Sequence, residues 1–268
     1  MIGQNKNKEL LMNWRMNKSV PRFIIIEGDV GSGRLTLAKV IIRIINATGV
    51  IAGNSISNIR EIIENAYTVS NTTCYIFRDC DDMSVAAKNS LLKVVEEPPN
   101  KAYFIMTVKN IDDMLGTIRS RATCIKMEPY TREELSTFNN DPLVLQYSRT
   151  PTDTTMDTTV VNQISMICDE IVQHLIQRKG TNTLRDYLKL ESIFKDNPDV
   201  DKLYVLRIFE AKLLENYNNF NIQCLKHISV CKKELKKAGI NHKSSIECML
   251  IKLIEELKNE SEISKKMG

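Results

Sequence analysis

Short apolar runs alternate with segments of helical spacing in the first half of the chain. Four of these runs predict buried strands: Phe23–Ile26, Thr73–Phe77, Tyr103–Thr107 and Cys124–Met127. Continuous apolar runs of this length are typical of strands that are covered on both faces of a sheet. Apolar positions three and four residues apart predict helices between them, at 8–16, 35–45, 58–67 and 84–95. This alternation predicts an α/β fold with a parallel sheet.

The pattern changes after Pro129, where the strand-like runs stop. Thr131 and Glu134 form a capping-box pattern, which predicts the start of a short helix that ends near 138. A polar stretch at 139–159, rich in Asp, Thr and Pro, predicts a loop or a short irregular element, and with it a domain edge. Helical spacing then predicts five helices, at 160–178, 182–195, 199–217, 221–237 and 243–260. We therefore expect the second half of the chain to be all-α.

The composition is that of an ordinary globular protein. The chain has 268 residues, of which 43% are hydrophobic and 26% are charged. No apolar run reaches the roughly 18 residues that a membrane-spanning helix needs, and the first residues lack the apolar core of a signal peptide. We therefore expect a cytoplasmic protein without a membrane partner. The net charge of +4 permits a nucleic-acid partner without requiring one.

The seven cysteines are scattered at irregular spacing, and no two of them form a C-x-x-C pair. An odd count without paired spacing argues against a disulfide framework and against a four-cysteine zinc site. We therefore expect buried free thiols in a reducing cytoplasm, and neither zinc nor another metal site.

The first chemical candidate is a glycine-rich segment between the first strand and the following helix. A phosphate-binding loop, G-x-x-x-x-G-K-[ST], needs glycines that turn backbone N–H groups toward the anion. It also needs a Lys for the phosphates and a hydroxyl for Mg²⁺. Gly28 and Gly33 have the required spacing, but Arg34 stands at the Lys position and Leu35 at the hydroxyl position. Leu35 cannot ligate a metal, and Thr36 lies about 100° further around the helix.

Two interpretations of this loop remain open. The loop either accepts the phosphates of ATP or ADP weakly, or it serves the fold alone, and the second interpretation is favoured. In neither case do we expect a tightly bound cofactor. The candidate phosphate-binding residues are Gly28, Gly31, Gly33, Arg34 and Thr36.

The end of the second predicted strand is the second candidate. An ATPase with such a phosphate-binding loop places Asp-Glu directly after this strand, where the Asp supports Mg²⁺ and the Glu activates water. Here Arg78 and Asp79 occupy those positions. A cation at the first position repels Mg²⁺, and Asp79 is one methylene shorter than Glu. Asp81 and Asp82 come later, and we expect them to cap the next helix or to face solvent.

Four collinear segments resemble those of bacterial clamp-loader ATPases. Residues 89–99, N-S-L-L-K-V-V-E-E-P-P, resemble the segment N-A-L-L-K-x-L-E-E-P-P, and residues 117–122, T-I-R-S-R-A, resemble T-I-x-S-R-C. Residues 104–107 resemble the sensor-1 strand of these proteins, and residues 56–60 resemble I-x-x-I-R. The matches keep their order and spacing from residue 23 to about 128. The chain therefore resembles a DNA polymerase III clamp-loader subunit of the delta-prime type.

The resemblance implies an AAA+ architecture with three domains. We expect a P-loop parallel-sheet domain at 1–130, a small helical lid at 131–178 and an all-α collar for oligomerisation at 179–268. The likeness weakens beyond residue 138, where only 241–253 is loosely similar to the final collar helix. The cysteine-rich zinc module of the family has no counterpart at 46–73.

The resemblance also implies a role. In clamp loaders, the Arg of the S-R-C motif reaches the γ-phosphate of ATP that a neighbouring subunit holds. Arg121 matches this arginine finger, with Arg119 as the weaker alternative, and Arg149 is a candidate for the sensor-2 Arg of the lid. The implied protein is a non-catalytic subunit of a hetero-oligomer, in a bacterial or phage-infected cell. Its implied partners are gamma/tau-like ATPase subunits, a delta-like subunit, the sliding clamp and primed DNA.

Two alternatives belong to other functional classes. The chain is alternatively a clamp-loader ATPase that binds or weakly hydrolyses ATP, although Leu35 and Arg78 argue against this. The second alternative is an AAA+ DNA-binding protein of the helicase-loader kind, against which the E-E-P-P and S-R segments argue. Phosphate release by the purified chain would favour the first alternative, and co-purification with a helicase would favour the second.

Overall fold

A computed structural model describes residues 2–216, 222–237 and 241–267, with side chains as far as residue 258. The chain divides into two compact units. Unit 1 contains Met1–Thr137 together with Arg149–Thr152, and unit 2 contains Phe138–Ser148 together with Asp153–Gly268. The predicted helix ends at 217 and 221 lie outside the described residues.

Unit 1 is built on a five-stranded parallel sheet with the strand order β2-β3-β4-β1-β5. Its strands are β1 Phe23–Glu27, β2 Thr48–Ala52, β3 Thr73–Phe77, β4 Ala102–Val108 and β5 Thr123–Lys126. The α/β fold with a parallel sheet is thus confirmed. The sequence pattern missed β2, because this edge strand exposes four of its five residues and contains Gly49.

Helices connect the strands and cover the sheet. They are α1 Asn5–Asn17, α2 Arg34–Ile45, α3 Ile56–Thr68, α4 Val85–Ser90, α5 Leu92–Glu96, α6 Gly116–Arg119 and α7 Arg132–Ser136. The single helix predicted at 84–95 is two helices, because the Leu91 N–H bonds the Lys88 carbonyl three residues back. Helix α2 ends at Asn46, which adopts a left-handed conformation with φ 53°.

Alternate residues of β1 belong to two separate apolar clusters. Phe23 and Ile25 pack with α3, α4 and α5 on one face. Ile24 and Ile26 pack with α1 and α2 on the other. This two-sided burial explains the continuous apolar runs of the strands. Because β1, β3 and β4 pair in parallel, their carboxyl ends lie at one edge of the sheet.

Unit 2 is helical around one apolar cluster that extends from α8 to α13. Its helices are α8 Pro142–Tyr147, α9 Thr158–Ile176, α10 Gly180–Asp196, α11 Lys202–Glu215, α12 Ile222–Leu235 and α13 His242–Met267. Helix α8 corrects the loop predicted at 139–159. Asp141 starts this helix by accepting hydrogen bonds from the N–H groups of Leu143 and Val144, at 2.9 and 3.1 Å. The division into a lid at 131–178 and a collar at 179–268 stays a prediction.

All seven cysteines are free. Five are buried as expected, whereas Cys124 and Cys248 are exposed. Burial raises the pKa of the Cys74 thiol to about 12, so that it packs as a protonated, unreactive side chain. Within the described residues, no helix is long and apolar enough to span a membrane. The same part of the chain contains no group of three or more His, Cys, Asp or Glu that could hold a metal ion.

Candidate functional site

The glycine-rich loop lies between β1 and α2, as the sequence pattern predicts. Gly31 and Gly33 have φ of 78° and 92°, a left-handed conformation that side chains rarely adopt. The first N–H groups of α2 have no acceptor inside the helix and point out of its N-terminus, where an anion is favoured. The loop therefore has left-handed glycines directly before a helix N-terminus, two features that phosphate-binding loops use.

Glycine is also required at the entry of the loop. A Cβ at Gly28 would lie 2.7 Å from the Met127 Cγ and 2.7 Å from the Ser32 Oγ, which is closer than real side-chain contacts. Ser32 is buried, and its hydroxyl has no hydrogen-bond partner among the described residues. Glycine at position 28 thus lets the loop approach Met127, the residue that directly follows β5.

Arg34, at the Lys position of the motif, pairs with Asp79. Its Nη2 lies 2.9 Å from the Asp79 Oδ1, and the Arg34 side chain is only 8% exposed. The Arg34 Nη1 is buried without a hydrogen-bond partner in the described part of the chain. Arg34 and Asp79 therefore form an ion pair between the start of α2 and the end of β3.

The backbone of Asp79 has an unusual conformation and is hydrogen-bonded to β4. It adopts a left-handed conformation with φ 49°, and its N–H donates to the Thr107 Oγ1 at 3.1 Å. Thr107 belongs to β4, the strand predicted to resemble sensor 1. The sequence indicated both Arg34 and Asp79 as altered positions but did not predict that they pair.

The positions that should hold Mg²⁺ offer it no ligand. Leu35 packs against the apolar cluster on the α1 and α2 face, and Thr36 is exposed on α2. Arg78 is exposed at the end of β3, where the metal-supporting carboxylate would stand. Leu35 and Arg78 therefore supply no oxygen ligand to Mg²⁺ at these two positions.

The position of Asp81 differs from the one that the sequence predicts. The sequence suggested a cap or a solvent-facing residue, but Asp81 is 3% exposed. Its Oδ1 accepts the Lys109 N–H at 3.1 Å, and the Lys109 ammonium lies 3.5 Å from its Oδ2. Burial lowers the pKa of Lys109, but Asp81 and Asp82 raise it more, so that it lies above its usual value. This pair ties the turn after β3 to the end of β4.

Two groups that the sequence did not single out contact the loop. The Tyr130 hydroxyl donates to the Ser32 carbonyl at 3.0 Å, and burial raises the pKa of Tyr130, which keeps that proton in place. Thr152 contacts Gly31 from the segment that rejoins unit 1. No local motif predicts either contact, because both partners are more than 90 residues away in sequence.

Arg121 lies just beyond α6 and contacts residues of α5 and α6. Its Nη1 donates to the Thr117 carbonyl at 3.1 Å, and its Nη2 lies 3.2 Å from the Glu96 Oε1. Both side chains are half-exposed, at 43% for Arg121 and 52% for Glu96. Arg119 pairs instead with Asp112. The two contacts of Arg121 leave three of its five N–H donors for another ligand.

Comparison with known proteins supports the resemblance carried by these segments. Residues 40–131 match the family model described as DNA polymerase III, delta subunit. Over 171 residues the chain is 24% identical to DNA polymerase III subunit gamma/tau of Mycoplasma genitalium, a match that covers 52% of this chain and 29% of that protein. Over 86 residues it is 31% identical to DNA polymerase III subunit gamma of Buchnera aphidicola subsp. Schizaphis graminum, covering 31% of this chain and 24% of that protein.

The fold has a relative among solved structures. The RuvB Holliday junction branch migration motor of Thermotoga maritima superposes with a TM-score of 0.51 at 13% identity, over 80% of this chain and 88% of that one. This likeness concerns the fold alone.

These matches confirm the resemblance that the motifs indicated. The family-model match at 40–131 contains both the 89–99 and the 117–122 segments. Residues 40–131 are thus similar to a subunit of the DNA polymerase III clamp loader. The chain spans less than a third of the length of these two DNA polymerase III subunits.

Proposed function

We propose that this chain is a non-catalytic clamp-loader subunit of the delta-prime type. It assembles with gamma/tau-like ATPase subunits and a delta-like subunit in the cytoplasm, and it helps to place a sliding clamp on primed DNA. In this role it binds no nucleotide tightly and supplies an arginine finger to a neighbouring subunit.

The pair formed by Arg34 and Asp79 carries the non-catalytic part of this proposal. In an active site of this class, the cation binds phosphate and the carboxylate activates water. Here the two groups satisfy each other at 2.9 Å. A nucleotide would have to break an ion pair whose Arg34 side is buried, and it would gain no metal ligand from Leu35 or Arg78.

The exposure of Arg121 supports its proposed role as an arginine finger. A finger that acts in trans must lie on the surface, and the Arg121 side chain is 43% exposed with donors to spare. Its contacts with Glu96 and Thr117 restrict the orientation of the guanidinium plane before a neighbour docks. Pre-organisation of this kind lowers the entropy lost when phosphate is bound.

A reconstituted loader tests this role. Arg121→Ala should lower its steady-state ATPase by at least about 10-fold while the subunits still co-elute, since fingers of this kind are worth ~10³–10⁵ in rate elsewhere. Arg119→Ala separates the two candidate fingers, and Arg60→Ala on α3 is a matched control. Unchanged ATPase in the Arg121 variant would remove the finger from the proposal.

The second candidate function is an ATP-binding or weakly hydrolysing subunit. The curated relatives described as gamma and gamma/tau favour it, as does the loop backbone that fits an anion. Release of phosphate from Mg-ATP by the purified chain, abolished by Gly33→Val, would support this candidate against the first.

A further inference from the structure

A second segment of unit 1 fills the space beside Gly31. This segment is Arg149–Thr152, which we call the strap, and it belongs to the same compact unit as the loop. A Cβ at Gly31 would lie 2.4 Å from the Thr152 Cβ and 3.0 Å from the Thr150 Oγ1. Such distances are at or below the closest approach of real side-chain carbons. Only a glycine at position 31 lets the strap come this near.

The strap is held firmly against the loop. Thr150 is 4% exposed, so its hydroxyl is removed from water. The Thr152 hydroxyl lies 3.5 Å from the Gly31 carbonyl oxygen, at the long limit of a hydrogen bond. Pro151 stands between the two threonines, and its ring fixes the local φ. The contact is therefore made by a stiff segment with little freedom to move aside.

The position of the strap matters because Gly31 lies in the middle of the phosphate-binding backbone. A bound phosphate accepts hydrogen bonds from consecutive N–H groups of such a loop and must fit closely against it. The strap occupies one side of Gly31, while the Tyr130 hydroxyl bonds the next carbonyl, that of Ser32. The chain thus supplies its own contacts to the loop, at Gly31 and at the Ser32 carbonyl.

We propose that the strap is a built-in block that keeps nucleotide out of the loop, in addition to the altered residues of the motif. This inference deepens the proposed function and rests on it. Two barriers then act in series, one chemical at Arg34, Leu35 and Arg78, and one steric at Thr150 and Thr152. Restoring the motif alone should not restore binding.

Three variants of the full chain test the block. The repaired variant carries Arg34→Lys, Leu35→Thr and Arg78→Asp. The open variant carries Thr150→Gly and Thr152→Gly, and the third variant combines both sets. Binding of Mg-ATP is measured by isothermal titration calorimetry, with inorganic pyrophosphate as a second probe and with melting curves to verify that each variant is folded.

We expect the combined variant to bind Mg-ATP at least about tenfold more tightly than the repaired variant. If the repaired variant binds as tightly as the combined one, or if neither of them binds, the strap is not the barrier and the inference is wrong. Neither result affects the proposed function, which fails instead if the unaltered chain binds Mg-ATP tightly.

A double-mutant cycle tests the contact itself without relying on nucleotide. Gly31→Ala should lower the melting temperature by about 4 °C or more, through the clash with Thr152 and the left-handed backbone. Adding Thr152→Gly to Gly31→Ala should recover a clear part of that loss. Additive losses would show that the strap does not pack on Gly31, and they would overturn the inference.

Discussion

The ion pair between Arg34 and Asp79 makes a quantitative prediction for stability. Asp79→Ala removes the carboxylate that contacts the Arg34 guanidinium. The Arg34 side chain is 8% exposed, and one of its nitrogens is already buried without a partner among the described residues. A hydrogen bond to a charged group contributes about 1.5–3 kcal/mol. Because the Asp79 side chain is 37% exposed, solvent screening reduces this contribution. We therefore expect a loss of about 2 kcal/mol for Ala, and about 1 kcal/mol for Asn, which keeps an acceptor.

The assay is urea unfolding followed by tryptophan fluorescence. Trp14 is the one tryptophan of the chain and is buried in the apolar cluster on the α1 and α2 face, so it reports on unit 1. Asp112→Ala is the matched control, because the Asp112 side chain is 74% exposed and its pair with Arg119 is expected to contribute under about 1 kcal/mol. Equal losses in the two variants, or no loss in Asp79→Ala, would refute the reasoning.

Two further predictions concern the finger and unit 2. Glu96→Ala should change the unfolding free energy by no more than about 0.5 kcal/mol in the same assay, because the ion pair of Glu96 with Arg121 is half-exposed. A loss above about 1 kcal/mol would show instead that this ion pair stabilises the fold. Burial raises the pKa of Asp186, but hydrogen bonds from Lys189 and His174 lower it more, so that the folded-state pKa lies below the unfolded one. The contribution of Asp186 is then present above about pH 4 and is lost as the pH falls below it. Unfolding followed by circular dichroism should therefore show a steeper loss of stability from pH 5 to pH 3 in the unaltered chain than in Asp186→Asn, and equal slopes would contradict this.

The fold was largely predictable because the apolar runs report burial directly. β1 and β3 are covered on both faces, and their uninterrupted apolar residues marked them. β2 was missed because an edge strand with exposed Val50 and Ile51 carries no such signal. Helix α8 was missed because the Asp and Pro that favour a loop in composition here begin a helix.

The candidate site was predictable residue by residue but not as an arrangement. Local motifs identified Gly28, Arg34 and Leu35, since a phosphate-binding loop is continuous in sequence. The pairing of Arg34 with Asp79 depends on the closeness of β1 and β3 ends in the sheet, which no local pattern contains. The strap at Thr152 depends on the path of the chain after α8, and its sequence carries no motif that points to Gly31.

The most direct test of a disabled nucleotide loop is calorimetric titration of Mg-ATP into the isolated, unaltered chain. Arg34 is tied to Asp79, and Leu35 and Arg78 offer no metal ligand, so we predict no saturable heat up to millimolar ATP. A saturable isotherm with a micromolar dissociation constant would contradict the claim that this subunit acts without a nucleotide of its own.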